Sequence, residues 1–235
     1  MRTLGSMETT TAQRSPLPLI SAIRILEAYK YTVPVRIEDG LDGVLYVTIR
    51  GTKTSDDIME DLQAKLVPLA IPGLEDDYAH DGFVDIMHKV LPQVITRLGS
   101  IKKIIITGHS LGGAVATLLA YVLAKNRPEL DVQVHTFGSP RVCSRALATK
   151  YNAAVPKTVR VVLDRDIVPT LPFGRYQHVH HLMWLNHNGI VKKMSWWQHV
   201  KYWLRFHKHD IKDHSLLKYI QALECFEVRD SVRAE

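Results

Sequence analysis

The sequence predicts an α/β protein with a mostly parallel central sheet flanked by helices. Three observations carry that reading. Short β-branched runs alternate with segments of helical period along the chain. One run, Ile104-Ile105-Ile106, leads through Thr107-Gly108-His109-Ser110-Leu111-Gly112-Gly113-Ala114, a strand that turns sharply at a serine into a small-residue helix. Finally, 235 residues, 46% of them hydrophobic and 23% charged, suit one such domain with an ample core.

Residues 1–15 read as a flexible N-terminus, with 1–6 an appended stretch ahead of a natural start at Met7, and 16–235 as a single domain. Pro16 to Tyr29 carries Leu19, Ala22, Ile23, Leu26 and Ala28 at helical period and predicts a helix across the sheet. Val44 to Ile49 is a buried-strand run, closed by Arg50-Gly51-Thr52. Asp56 to Leu66 predicts a short amphipathic helix whose acidic first turn suits the helix dipole. From His80-Asp81-Gly82-Phe83, the spacing of Val84, Met87, Val90, Leu91, Val94 and Leu98 gives a further helix one apolar face.

A helix from Leu111 to about Asn126 follows the serine, and Val132 to Phe137 reads as a strand broken by Gly138-Ser139-Pro140-Arg141. Thr158 to Leu163 is another strand. His178 to Leu185 is the last strand-like run, and Asn188-Gly189 reads as a hairpin-type turn.

The residues around Ser110 point to nucleophile chemistry. A serine at the apex of such a turn takes a strained backbone, so Gly108 and Gly112 must be nearly free of side chain. Its hydroxyl needs a base within hydrogen-bond reach and a carboxylate to orient that base. Downstream, Asp166 lies in a loop stiffened by Pro169 and Pro172, and Asp164, read as still on the strand, competes with it. The base is the least determined position: His178, His180, His181, His187, His199, His207 and His209 all follow, and His214 stands out because it begins a helix whose apolar residues can anchor it. An oxyanion would need two N–H donors, one from Leu111 and one from Thr52 in Arg50-Gly51-Thr52, which by itself is equally a simple turn. His178 and His180 share a strand face but have no carboxylate or cysteine at ligand spacing, so they read as strand histidines rather than a zinc pair.

In order along the chain, Arg50-Gly51-Thr52, His80-Asp81-Gly82-Phe83, Gly108 to Ala114, Phe137 to Val142, Asp164 to Pro169 and Asp213-His214-Ser215 resemble the class 3 lipases, a family of the α/β-hydrolase fold. The resemblance runs from about residue 44 to 220. It implies Ser110 as nucleophile, Asp166 as acid, His214 as base, Thr52 and Leu111 as oxyanion donors, and His178 as structural. It also implies acylglycerol substrates and no cofactor or metal. The segment from Asp56 resembles the family's lid helix, with Ile58, Met59 and Leu62 covering the site; an ordinary surface helix is the alternative. Cys143 departs from the family by replacing a glycine common after Pro-Arg-Val.

Charge and cysteine usage bound the setting. A net charge of +6 favours anionic surfaces. Cys143 and Cys225 make no disulfide framework, no apolar run approaches the roughly 20 residues that span a bilayer, and Leu17 to Leu26 is broken by Pro18 and Arg24, so a cytoplasmic setting is expected. On a helix, Trp196, Trp197, Val200, Trp203 and Leu204 share a face beside Lys201, Arg205 and Lys208, which suits peripheral membrane contact as well as core packing. No nucleic-acid motif is present, and none is expected to be bound. The expectation is therefore a serine carboxylic-ester hydrolase acting on acylglycerols; phospholipid hydrolysis, acyl transfer or a non-catalytic lipid-binding module are its rivals.

Overall fold

The computed structural model describes residues 17–30, 34–40, 43–51, 65–179, 181–189 and 211–232. Helix α1 (Leu17–Lys30) precedes strands β1 (Val35–Asp39) and β2 (Val44–Ile49), then the short strands β3 (Leu66–Pro68) and β4 (Tyr78–His80) and helix α2 (Asp81–Leu98). Strand β5 (Lys103–His109) leads into α3 (Leu111–Asn126), followed by β6 (Asp131–Phe137), β7 (Cys143–Ser144), α4 (Arg145–Ala154) and β8 (Lys157–Leu163). A 3-10 turn at Val168–Thr170, strands β9 (Tyr176–Gln177) and β10 (Leu182–Leu185), a 3-10 turn at Ile211–His214 and helix α5 (Leu216–Val232) complete the described chain.

The main sheet has the order β1-β2-β5-β6-β8-β10. Every neighbouring pair is parallel except β1 with β2. Parallel strands need crossovers and both faces covered, which is why the central runs read as nearly continuous apolar sequence. Val134 belongs to the cluster of Leu45, Val47, Ile104 and Ile106 against α2 and α3. Phe137, an odd number of residues later and so on the opposite face, joins Val161, Leu163 and Leu185 against α1 and α5.

Helix α2 buries Phe83, Val84, Met87, Val90, Leu91, Val94 and Leu98, the face expected from their spacing. Helix α3 is apolar nearly all round because it lies between the sheet, α2 and α4.

Three expectations change. Leu66, read as the end of a helix, opens β3, which pairs antiparallel with β4; residues 56–64 of that helix lie outside the described residues. Of the run from His178 to Leu185 only Leu182–Leu185 is strand, β10 at the edge of the main sheet, while β9, just ahead of the run, joins a second sheet of order β3-β4-β7-β9. Gln177 and Leu182 thus pair with different strands, and a short alternating apolar run does not reveal such a switch. Gly189 does turn, at φ +69 with its N–H on the Asn186 carbonyl, and packs on the backbone of α5; the residues that would pair across the turn lie outside the described residues. Asp164 follows the last residue of β8 instead of lying on the strand. Strand β1 and helix α4 carry little signal in the sequence. Strand β1 is half-polar, and α4 carries a weak apolar face of Leu147, Ala148 and Tyr151.

Candidate active site

Strand β5 ends at His109 and α3 begins at Leu111, so Ser110 alone makes the turn, at φ 57 and ψ −128. A non-glycine residue held there costs on the order of 1–3 kcal/mol and persists only when its surroundings over-determine it. Here they do. The Ser110 N–H donates to the Phe137 carbonyl at 2.9 Å, and its own carbonyl accepts from Gly113 and Ala114 at 2.9 and 3.2 Å. A side chain at Gly108 would strike the Gly112 carbonyl, and one at Gly112 would strike that of Ile49. The two glycines allow helix and strand to cross at backbone contact. Leu111 is the first residue of α3, so its N–H is among the amides with no partner inside the helix.

The acid arrives from the end of another strand and the base from the 3-10 turn ahead of α5. Asp166 sits three residues past β8, fully buried, and its own N–H caps back onto the Leu163 carbonyl at 2.9 Å. Its carboxylate accepts from three donors: the Val168 N–H at 2.9 Å on Oδ1, and on Oδ2 His214 Nδ1 at 2.8 Å and the Tyr219 hydroxyl at 2.6 Å. A buried carboxylate is tolerable only with such partners. Because the carboxylate can only accept, His214 carries its proton on Nδ1 and presents Nε2 as a lone pair. The ring of His214 stacks on that of His109, centroids 4.5 Å apart, which seats the imidazole against the serine turn. Ser110 Oγ and His214 Nε2 are both buried, and neither has a hydrogen-bond partner among the described residues. They are not bonded to each other in this state; such pairs commonly tighten only around a substrate.

Of the sequence candidates, the structure brings together Ser110, Asp166 and His214, with Leu111 beside them. Thr52 lies outside the described residues, as do Trp196, Trp197 and Trp203; its neighbour Gly51 packs on the turn, where an added side chain would meet the His109 carbonyl at 2.6 Å and Ser110 Cβ at 3.1 Å. His214 does not begin a helix. It closes a 3-10 turn, and α5 starts at Leu216. Asp164 takes no part in the cluster, and His178 Nε2 donates to the Pro169 carbonyl at 2.6 Å, bracing the acid loop.

Three residues of the site were not picked out in sequence. Tyr219 and His214, five residues apart, both reach Asp166, yet Tyr219 looks there like one more apolar anchor of α5. His109 donates from Nε2 to the His214 carbonyl at 2.8 Å, and its Nδ1 pairs with the Tyr29 hydroxyl of α1 at 3.1 Å. Burial first, and then the neighbouring His214, push its pKa well below the usual imidazole range, which keeps it a neutral spacer under the base. Gly138 (φ +58) passes so close to Asp166 and His214 that a Cβ would stand 2.8 Å from each. Among the described residues no cluster of histidine, cysteine and carboxylate groups could hold a metal ion.

A strained serine between a parallel strand and a helix, its preceding residue stacked on a histidine tied to a buried aspartate at the carboxyl edge of the sheet, defines the α/β-hydrolase class of fold. The sequence pattern of the lipase (class 3) family matches residues 46–176, more than half of the chain, and the protein belongs to that family. Ser110 and Asp166 lie inside the matched span and His214 beyond it. The chain is 33% identical over 157 residues to a lipase of Rhizomucor miehei, covering 62% of this chain and 42% of that one. It is 35% identical over 122 residues to a secreted mono- and diacylglycerol lipase of Fusarium solani, covering 48% and 36%. The chain thus spans less than half the length of both relatives. The solved structure of the R. miehei triacylglyceride lipase superposes with a TM-score of 0.64 at 22% identity, over 85% of this chain and 89% of that one, which is a likeness of fold.

Proposed function

We propose that the protein is a serine hydrolase that releases fatty acid from acylglycerols. The observation that carries the proposal is the pair of buried atoms Ser110 Oγ and His214 Nε2, neither with a partner among the described residues, with Nδ1 of the same ring on Asp166. The ester carbonyl is attacked by Ser110 Oγ as His214 Nε2 takes its proton; Asp166, itself held by the Tyr219 hydroxyl, orients the ring and offsets its new charge. The oxyanion is received by the Leu111 N–H, with Thr52 as second donor by sequence. The alcohol leaves with the proton from His214, and water entering by the same base releases the acid from the acyl-enzyme. Membership of the class 3 lipases, and relatives named as acylglycerol lipases, support this substrate class. The test is fatty-acid release from tri-, di- and monoacylglycerol emulsions. Release by the parent chain that disappears in Ser110→Ala and His214→Ala supports the proposal; equal release by the variants overturns it.

We also propose, from sequence alone, that the segment holding Trp196, Trp197 and Trp203 meets the lipid surface, in a chain that works in a reducing compartment. Replacing the three together by alanine should lower partitioning to liposomes while sparing hydrolysis of a short soluble ester. Unchanged partitioning would remove this reading.

A further inference from the structure

We propose that a basic cavity between α4, β8 and the chain after β9 binds a phosphate monoester group. It has a volume of about 670 Å³, within the range of small-molecule sites. Arg145, Thr149 and Asn152 enter it from one face of α4, Arg160 from the middle of β8, and His178 and His181 from between β9 and β10. None of the described residues lining it is acidic.

Arg160 is the reason to expect an anion. It is 7% exposed, its Nε donates to the Val179 carbonyl at 2.7 Å, and its two Nη groups have no acceptor among the described residues. A buried guanidinium without a counter-charge is costly. A second cation makes it worse: Arg141, half-buried, anchors the acid loop through the carbonyls of Thr170 and Pro172 and acts electrostatically on Arg160. Burial, and then the charge of Arg141, pull the Arg160 pKa down to about 10, and Arg160 in turn helps burial depress His178. Its planar fork matches a phosphate oxygen pair. Arg145 at the exposed mouth supplies a second fork, and Thr149, whose hydroxyl donates to the Arg145 carbonyl at 3.1 Å, lines the same face of α4. Three arginines in and around the cavity suit a dianion better than a single carboxylate charge. The site is independent of what Ser110 does.

The phosphate could come from a soluble ester or from a lipid headgroup, and two probes separate these. The full chain carrying Ser110→Ala is titrated with sn-glycerol 3-phosphate by calorimetry. It is also sedimented with phosphatidylcholine vesicles that contain or lack phosphatidic acid. Saturable binding of either probe, weakened about tenfold or more by Arg145→Ala with Thr149→Ala on the exposed face of α4, supports the site. Response to the soluble probe indicates a free phosphoester, and response only to phosphatidic acid a headgroup. Arg160→Met should remove the remainder. Because that variant can fail to fold, the surface pair is the deciding one. No binding of either probe, or binding that the folded Arg145→Ala, Thr149→Ala variant retains in full, overturns the proposal.

Discussion

Gly138→Ala puts a single methyl group into the heart of the site. Its Cβ would stand 2.8 Å from Asp166 Oδ2 and His214 Cε1 and 2.9 Å from His214 Nδ1, where ordinary contact begins at 3.4 Å. Imidazole and carboxylate must therefore retreat by about 0.6 Å. Misplacing a reacting group by roughly 1 Å costs on the order of a hundredfold in rate, so kcat/KM on a soluble nitrophenyl ester should fall roughly ten- to a hundredfold. The backbone adds its own cost: φ is +58, and an alanine there loses about 1–2 kcal/mol, which lowers Tm by roughly 2–4 °C per kcal/mol in a chain of this size. Gly43→Ala separates the two effects. Gly43 has φ +73 and nothing within 4 Å of an added Cβ, so it bears the same backbone penalty without any collision. It should lose stability and keep its activity. Wild-type kcat/KM in Gly138→Ala, or an equal loss in both variants, would refute the placement of Gly138 against the acid and base.

Tyr219→Phe removes a 2.6 Å hydrogen bond to the Asp166 carboxylate and the acceptor of the Leu163 N–H, and should cost about 2–3 kcal/mol in denaturant melts while lowering kcat more than it raises KM. Iodoacetamide should modify the exposed Cys225 of the folded protein and spare Cys143, whose thiol burial pushes up to about 12; mass mapping of the adducts checks this. Burial lowers His135 from 6.5 to about 4. The unfolded chain then binds the proton that the folded one refuses as pH falls through that window, so stability declines there by about 3 kcal/mol in total. His109 and His178 act in the same direction. In His135→Gln the slope of unfolding free energy against pH should flatten between those values.

The legible parts of the molecule were those with local causes. The turn at Ser110 could be read because its glycines, its β-branched strand and its small-residue helix are contiguous, and α2 because seven apolar residues repeat on one face. Asp166 and His214 were harder. Spacing left Asp164 open, and seven other histidines competed with His214; only the chain's return to Oδ2 of Asp166 distinguishes them, and that is a long-range fact. Tyr219, Tyr29 and Gly138 were illegible for a related reason. An aromatic residue on an apolar helix face and a glycine at a strand end look alike whether or not they touch a catalytic group. The second sheet escaped because strands of two or three residues, such as β7 and β9, are held by partners remote in sequence rather than by their own pattern.

The most direct measurement is covalent capture of the nucleophile. The full chain is treated with a fluorophosphonate, digested, and the adduct located by mass spectrometry, alongside Ser110→Ala, His214→Ala and Gly43→Ala. A stoichiometric adduct on Ser110, absent from Ser110→Ala, strongly slowed in His214→Ala and undiminished in Gly43→Ala, is the predicted result. An adduct on another residue, or labelling of Ser110 at full rate without the imidazole of His214, would contradict it.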